Sequence, residues 1–160
     1  MDDFGFGSHS GHSIGIILKE LVRRAEVVIS NERLNFEVTS KAGYDGTMDD
    51  VFTSADRKAQ DIITKSLNEI WPEFGCIGEE SKVHNLPEGM KGYFTIDPLD
   101  GTKAFVRRQS HGVATMIAMV ITENYPDRPW IASAFIGDVN TREIYFSYDT
   151  RNKTLTGWQI

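Results

Sequence analysis

Apolar residues recur at steps of three and four positions from Ile14 to Ile29. This spacing places them on one face of an amphipathic helix. Ser13 stands just before the pattern and is a good helix N-cap, so we expect the helix to begin there and to end near Asn31. Residues 1–12 carry glycine, serine and histidine without such a pattern, and we interpret them as a flexible tail.

The same helical spacing returns over residues 55–70. Thr53 or Ser54 can cap this second helix, and Pro72 ends it because proline cannot continue the helical hydrogen bonds. The stretch 36–50 between the helices is rich in glycine, threonine and acids, which predicts a loop with room for a short hairpin.

Beyond the second helix the pattern changes to short strands. The run at 113–121 could be a central strand or a buried helix, and its β-branched content after Gly112 favours a strand. Two helices followed by about five strands predict an α+β fold, with two long helices packed on a mostly antiparallel sheet. The predicted strands are "FGCIGEES", "GYFTID", "VATMIAMVI", "WIASAFIGD" and "REIYFSYD".

The composition fits one globular domain, because the 160 residues are 40% hydrophobic and 25% charged. The net charge of −6 argues against nucleic-acid binding, which needs a basic surface. No apolar run approaches the roughly 20 residues of a membrane span, and the acidic N-terminus does not resemble a signal peptide. With Cys76 as the only cysteine, we expect a reducing, cytoplasmic location and no membrane partner.

Acidic residues stand where the predicted elements begin or end. Glu79 and Glu80 follow one strand, and Asp97 and Asp100 follow the next, while Asp56 lies in the first turn of the second helix. Carboxylates that converge cannot all ionise without a cation, and oxygen ligands alone select Mg²⁺ or Mn²⁺. Each acid also has a simpler interpretation, as a turn residue or as a partner of the helix dipole, and the residue pattern leaves both open.

"GEES" at 78–81 and "IDPLDGTKAF" at 96–105 together resemble the inositol monophosphatase-like family of Mg²⁺-dependent, lithium-sensitive phosphatases. "DDVFTSAD" at 49–56 is similar to the segment that leads into the family's second helix. The resemblance implies the first half of the sugar-phosphatase fold. Residues 13–160 would then be the N-terminal, metal-binding domain, and the C-terminal domain would be absent.

The resemblance also implies roles for the acidic residues and their neighbours. Glu79 would be a metal ligand and would help to position the attacking water. Asp97 would bridge two metal ions, the backbone carbonyl of Leu99 would bind the first ion, and Asp100 would bind the second.

The remaining implied roles concern the substrate phosphate and the attacking water. Gly101 and Thr102 would bind the phosphate through backbone N–H groups, together with Asp100. Asp56 would accept a hydrogen bond from Thr102, whose oxygen would orient the water. The implied catalytic residues are therefore Glu79, Thr102 and Asp56.

The family activity implied is hydrolysis of a small phosphate monoester by metal-activated water. The substrate would be an inositol monophosphate, histidinol phosphate or a 3′-phosphonucleotide; Lys103 resembles the last two branches somewhat more than the first. Two or three Mg²⁺ ions would serve, Mn²⁺ could replace them, and Li⁺ would inhibit. Arg107 and Arg108 could meet a second anionic group or simply be solvated.

The family continues into a second α/β domain with a Trp-Asp motif that completes the second metal site. None of Trp71, Trp130 and Trp158 is followed by aspartate. We therefore expect a homo-oligomer or a chain without its C-terminal half. Two alternatives to a phosphatase stay open at this point: a catalytically weak, metal-binding fragment that acts as an interaction module, and an unrelated α+β domain whose acids are only turns.

Overall fold

The computed structural model describes residues 11–41, 50–81, 90, 92–122, 130–150 and 153–159. It confirms the α+β class. None of the helices in these ranges is long and apolar enough to cross a membrane. In chain order the elements are α1 Gly11–Glu32, β1 Val38–Lys41, β2 Asp50–Thr53, α2 Ser54–Ile70, β3 Gly75–Gly78, β4 Gly92–Asp100, α3 Thr102–Val106, β5 Ala114–Ile121, β6 Trp130–Asp138, β7 Ile144–Thr150 and β8 Lys153–Gln159.

Strands β3 to β8 form one six-stranded sheet whose spatial order equals the chain order. Neighbouring strands run antiparallel from β4 to β8, whereas β3 and β4 run parallel. The carboxyl ends of two parallel strands lie at the same edge of a sheet. Because Gly78 is in register with Ile96, the acids that follow these two residues are brought together.

One face of the sheet packs against α1 and α2. The row Ile96, Ile117 and Phe135 runs across β4, β5 and β6 in register and is buried. Helix α1 contacts β5, β6 and β7, and α2 contacts β3 and β4, while the two helices also contact each other. Leu18 of α1 and Ile63 of α2 are fully buried. The predicted apolar faces of both helices therefore form the core with the sheet.

The other face of the sheet carries a row of exposed apolar side chains. Met116, Ile136, Tyr145 and Trp158 are cross-strand neighbours on β5 to β8, and Asp97 of β4 is in register with Met116. Ile136, Tyr145 and Trp158 are 42%, 45% and 61% exposed. We call this row the open face of the sheet.

The predicted start of the first helix was wrong. Helix α1 already begins at Gly11, so Ser13 lies inside the helix and does not cap it. Residues 11 and 12 of the predicted tail are helical, and residues 1–10 lie outside the described ranges.

The second helix agrees with the prediction more closely. Thr53 is its N-cap, with a capping box in which Asp56 accepts a hydrogen bond from the Thr53 backbone N–H at 2.8 Å. The helix ends at Ile70, ahead of Pro72. The stretch 36–50 contains the first strand of the small β1–β2 antiparallel sheet and begins the second, as the expected hairpin allows.

Strand β8 was missed in the sequence analysis. Thr154 precedes Leu155, and Thr156 and Gly157 follow it. Neither an alternating nor a continuous apolar pattern therefore marks the segment as a strand. The strand is identified by its antiparallel pairing with β7, from Ile144↔Gln159 to Thr150↔Lys153. The sheet therefore has one strand more than the five predicted.

Helix α1 buries a carboxyl group against the sheet. Glu26 is 1% exposed, and its Oε1 has no hydrogen-bond partner among the described atoms. A Cβ atom at Gly137 would lie 2.3 Å from this oxygen, so only glycine leaves room for it. Burial raises the pKa of Glu26 to about 7, although the Arg142 and Arg23 charges oppose the rise.

We expect Glu26→Gln to flatten the pH dependence of stability. The folded pKa of Glu26 lies above its unfolded value, so its contribution is fully present below about pH 4.5 and is lost as pH rises through about 7. Between pH 5 and pH 8 the parent should lose about 2 kcal/mol of unfolding free energy relative to the variant, which never ionises. Urea denaturation at both pH values measures this, and parallel pH profiles would contradict it.

Candidate metal and phosphate site

The acids at the carboxyl ends of β3 and β4 meet at one edge of the sheet. Asp97 and Asp100, which were expected to follow their strand, instead lie within the carboxyl-terminal part of β4. The Glu79 backbone N–H donates to the Ile96 carbonyl at 3.0 Å, which sets Glu79 beside Asp97. The Glu79 carboxyl group lies close enough to Asp97 to raise the pKa of the Asp97 carboxyl. Burial, followed by the charges of Glu79 and Asp100, raises the pKa of Asp97 to about 7. The fold thus brings together two motifs that are well separated along the chain.

A lysine from the small β-sheet lies among these acids. The Lys41 Nζ is 2.9 Å from Glu79 Oε1 and 2.7 Å from Glu80 Oε1. Burial on its own would lower the pKa of Lys41, but its hydrogen bonds with Glu80 and Glu79 and their charges hold it above its usual value. The acidic cluster therefore attracts a cation from within the chain.

The sequence analysis missed Lys41. It lies 38 residues before Glu79, in a stretch interpreted as a loop, and no local pattern links the two residues. The only signal was the hairpin itself, whose first strand ends at Lys41. Contact between them depends on where the small sheet packs.

Strand β4 is irregular after Asp97. The pairing of β4 with β5 shifts register between Asp97 and Asp100. Within this bulge the Leu99 backbone N–H donates to Asp97 Oδ1 at 3.2 Å. The Leu99 side chain is buried while Asp100 is exposed. The bulge therefore lies between the two aspartates.

Gly101 makes the turn into the short helix α3. Its φ of 81° and ψ of 34° are left-handed, and a Cβ atom there would lie 1.9 Å from the Gly112 carbonyl oxygen. The Phe105 N–H donates to the Gly101 carbonyl at 2.9 Å and opens the helix. N–H groups in the first turn of a helix have no acceptor within it, so Gly101 and Thr102 present donors at this point.

Thr102 links this turn to α2. Its Oγ1 lies 3.0 Å from Asp56 Oδ1 and 3.0 Å from the Leu99 carbonyl oxygen. Asp56 is 1% exposed and also accepts hydrogen bonds from Thr53. Burial raises the pKa of Asp56, and its hydrogen bonds with Thr53 and Thr102 oppose that rise. Asp56 therefore serves both as a helix cap and as a partner of Thr102.

The arrangement fits a hard cation with few protein ligands. Within the described ranges, no three acidic, histidine or cysteine side chains enclose an ion as they stand. The Glu79 carboxylate faces Lys41, and Asp100 lies beyond the bulge. Mg²⁺ commonly takes one or two carboxylates and completes its shell with waters and substrate oxygens. The repelling pair Glu79 and Asp97, with the Leu99 carbonyl nearby, can supply that set.

These groups border a cleft of about 950 Å³ that continues over the open face. Its lining includes Glu79, Asp97, Asp100, Gly101 and Thr102 together with Met116 and Ile136 of the open face. Lys103 lines the cleft with its Nζ 3.9 Å from Asp50 Oδ1. Arg107 and Arg108 are exposed beyond the end of α3 and are not among the lining residues. Lys103 therefore places a positive charge on the cleft, which neither arginine does.

The chain is similar in sequence to known proteins. The model of the inositol monophosphatase family matches residues 13–159. A histidinol-phosphatase of Chlorobaculum parvum is 37% identical over 71 residues, which are 44% of this chain and 25% of that protein. The Nus factor SuhB of Pseudomonas aeruginosa is 29% identical over 152 residues, which are 94% of this chain and 49% of that protein.

The chain also shares its fold with solved structures. The crystal structure of an IMPase/NADP phosphatase complexed with Mg²⁺ and phosphate superposes with a TM-score of 0.71 at 17% identity. The superposition covers 92% of this chain and 52% of that one. The chain thus spans about half the length of this structure and of SuhB, and a smaller share of the histidinol-phosphatase.

We expect Asp97→Asn to abolish stabilisation by Mg²⁺ while the fold persists. The amide keeps the size of the side chain but removes the charge that repels Glu79, so a cation gains little by binding. At Mg²⁺ a hundredfold above its Kd the parent should gain about 2.7 kcal/mol. Thermal melts with and without Mg²⁺ measure the difference. Asp61→Asn, on the exposed side of α2, is the matched control, and an unchanged Mg²⁺ response in Asp97→Asn would rule out the role.

Proposed function

We propose, from the premise that the chain belongs to the inositol monophosphatase family, that it carries the metal- and phosphate-binding half of a Mg²⁺-dependent phosphomonoesterase. The observation that carries the proposal is the meeting of Glu79 and Asp97 beside the Thr102–Asp56 hydrogen bond at one cleft. Membership of the family removes the alternative of an unrelated domain with acids only in turns. The alternative of a metal-binding interaction module is not favoured.

The proposed ligands are Glu79, Asp97, the carbonyl of Leu99 and Asp100. A bound Mg²⁺ would polarise the phosphate and lower the pKa of a bound water. The choice of metal is supported by the IMPase/NADP phosphatase of the same fold, which was crystallised in complex with Mg²⁺ and phosphate. Two or three ions, replacement by Mn²⁺ and inhibition by Li⁺ are part of the proposal.

The proposed chemistry of the chain's own residues is hydrogen bonding and proton transfer. The N–H groups of Gly101 and Thr102 donate to phosphate oxygens, and Asp100 completes the phosphate pocket. The Thr102 hydroxyl donates to Asp56 Oδ1, which leaves the hydroxyl oxygen free to accept a hydrogen bond from the attacking water. Asp56 can then draw a proton from the water through Thr102, while Glu79 holds the water in line.

The substrate proposed is a small phosphate monoester. Histidinol phosphate is supported by the relative named as a histidinol-phosphatase, and an inositol monophosphate by the family itself. A 3′-phosphonucleotide is the third candidate, with Lys103 beside the cleft to meet a second anionic group. We also propose that the protein works in the cytoplasm, as its single cysteine suggests, and does not bind nucleic acid.

The open face is proposed to receive the second half of the family fold. The cleft continues from the acids onto this face, and the compared phosphatase structure is about twice as long as this chain. Tyr145 and Trp158 are 45% and 61% exposed, and such a half would bury them. Self-association through the same face, as a homo-oligomer, is the other outcome of the test below.

Thr102→Ala should damage turnover more than Mg²⁺ binding. The variant keeps the backbone N–H donors and the carboxylates, but it loses the hydroxyl that connects Asp56 to the water. A positioned proton-transfer group contributes about 10²–10⁴-fold, so kcat should fall by that order. Thr102→Ser, which retains the hydroxyl, is the control. Phosphate release at saturating Mg²⁺ is the measurement, and a parental kcat in the alanine variant would refute the relay.

The 160-residue chain by itself should be a poor phosphatase that still binds Mg²⁺. Phosphate monoesters need up to about 10²¹-fold acceleration, which a half-formed pocket cannot supply.

The test assays the purified chain with Mg²⁺ against inositol 1-phosphate, histidinol phosphate and 3′-phosphoadenosine 5′-phosphate, while light scattering gives its mass. Adding the second half of a relative should raise the rate if it covers the open face. Normal turnover by a pure monomer would contradict the proposed role of that half, and complete loss of Mg²⁺ binding would contradict the proposed function.

A further inference from the structure

Gln60 of α2 holds the turn that carries the two glutamates. Its Oε1 accepts the backbone N–H of Glu80 at 3.0 Å, and its Nε2 donates to Ser81 Oγ at 3.1 Å. The Ser81 N–H donates to the Gly78 carbonyl at 3.0 Å, which closes the turn. The oxygen and the nitrogen of the Gln60 amide thus bind successive residues of the turn. The amide therefore fixes the orientation of the turn against α2.

The amide also fills the space beside Gly78. A Cβ atom at Gly78 would lie 2.3 Å from Gln60 Oε1 and 2.4 Å from its Cδ. The first residue of "GEES" is therefore a glycine because the Gln60 side chain packs against the backbone at that point. Gln60 is only 9% exposed. The turn and the amide form one packed unit.

The same face of α2 reaches both acidic motifs. Asp56 and Gln60 are four residues apart, which places them one above the other on the helix. Asp56 binds Thr102 after β4, and Gln60 binds Glu80 and Ser81 after β3. A single rigid element therefore sets the distance between the two motifs that supply the proposed ligands.

We propose that Gln60 is a positioning residue that sets the affinity of the site for Mg²⁺ by fixing the turn in which Glu79 lies. The inference rests on the proposed function, and it adds a residue that does not touch the ion or the substrate. Two hydrogen bonds fix the backbone around Glu79. The Glu79 N–H donates to the Ile96 carbonyl, and the N–H of the next residue, Glu80, donates to Gln60 Oε1. Groups that orient metal ligands in this way typically change metal affinity about 10–100-fold when removed.

Two variants of Gln60 separate hydrogen bonding from packing. Gln60→Leu keeps much of the volume but removes both hydrogen bonds. Gln60→Glu keeps an acceptor for the Glu80 N–H, and its second oxygen can accept a hydrogen bond from the Ser81 hydroxyl. Ile63→Val, a buried change on the same helix away from the turn, controls for lost stability alone.

The experiment measures the Mg²⁺ Kd of each protein by calorimetry and the exchange rate of the Glu80 amide proton without metal. We expect Gln60→Leu to raise the Kd about 10–100-fold and to speed that exchange, because the turn loses its anchor. Gln60→Glu should keep the slow exchange and bind Mg²⁺ at least as tightly as the parent. Ile63→Val should leave both unchanged.

Three results would overturn the inference. Gln60→Leu with the parental Kd would show that the turn keeps its geometry without the amide. Equal weakening in Gln60→Leu and Ile63→Val would assign the effect to stability alone. A parent that binds no Mg²⁺ would overturn the proposed function and this inference with it, whereas the first two results leave the proposed function standing.

Discussion

Repulsion among the carboxylates at the ends of β3 and β4 is the constraint on which the site depends. The parallel pairing of these strands brings Glu79 beside Asp97, where Asp97 is partly shielded from water and Glu79 remains exposed. Burial, and after it the charges of Glu79 and Asp100, raises the pKa of Asp97, and the Lys41 ammonium group lies against Glu79. A site built in this way favours any cation that can reach it, and an anion such as a phosphate can approach only when positive charge is present.

Helix α2 connects this repulsion to the rest of the fold. Its capping box places Asp56 at the first turn, where the carboxyl also meets Thr102. One turn later Gln60 anchors the glutamate turn, and beyond it Ile63 and Leu67 are buried in the core. The side chains that align the acids thus belong to an element held by apolar packing. The stability of the core and the geometry of the site are therefore linked through one helix.

The sheet uses its two faces differently. One face is buried under α1 and α2 and supplies the stability of this chain, as Phe135 illustrates. The other presents Ile136 and Trp158 to solvent and begins, in register, at Asp97. The acids lie where these two surfaces meet at the sheet edge. Asp97 therefore connects the acids to the exposed row, because it is in register with Met116.

The sequence by itself determined what depends on neighbours along the chain. The helical spacing predicted α1 and α2, and Thr53 or Ser54 was expected to cap α2, which Thr53 does. The hard-cation site around Glu79 and Asp97 stays a prediction. Only the tertiary structure decided what depends on distant contacts.

The sequence could not reveal Lys41 or Gln60 as partners of the glutamates, since each is far from them along the chain and has no motif of its own. Strand β8 has too little apolar pattern to be seen before it pairs with β7. Local propensity and spacing act over a few residues, whereas ion pairs, strand pairing and packing join residues that only the fold brings together.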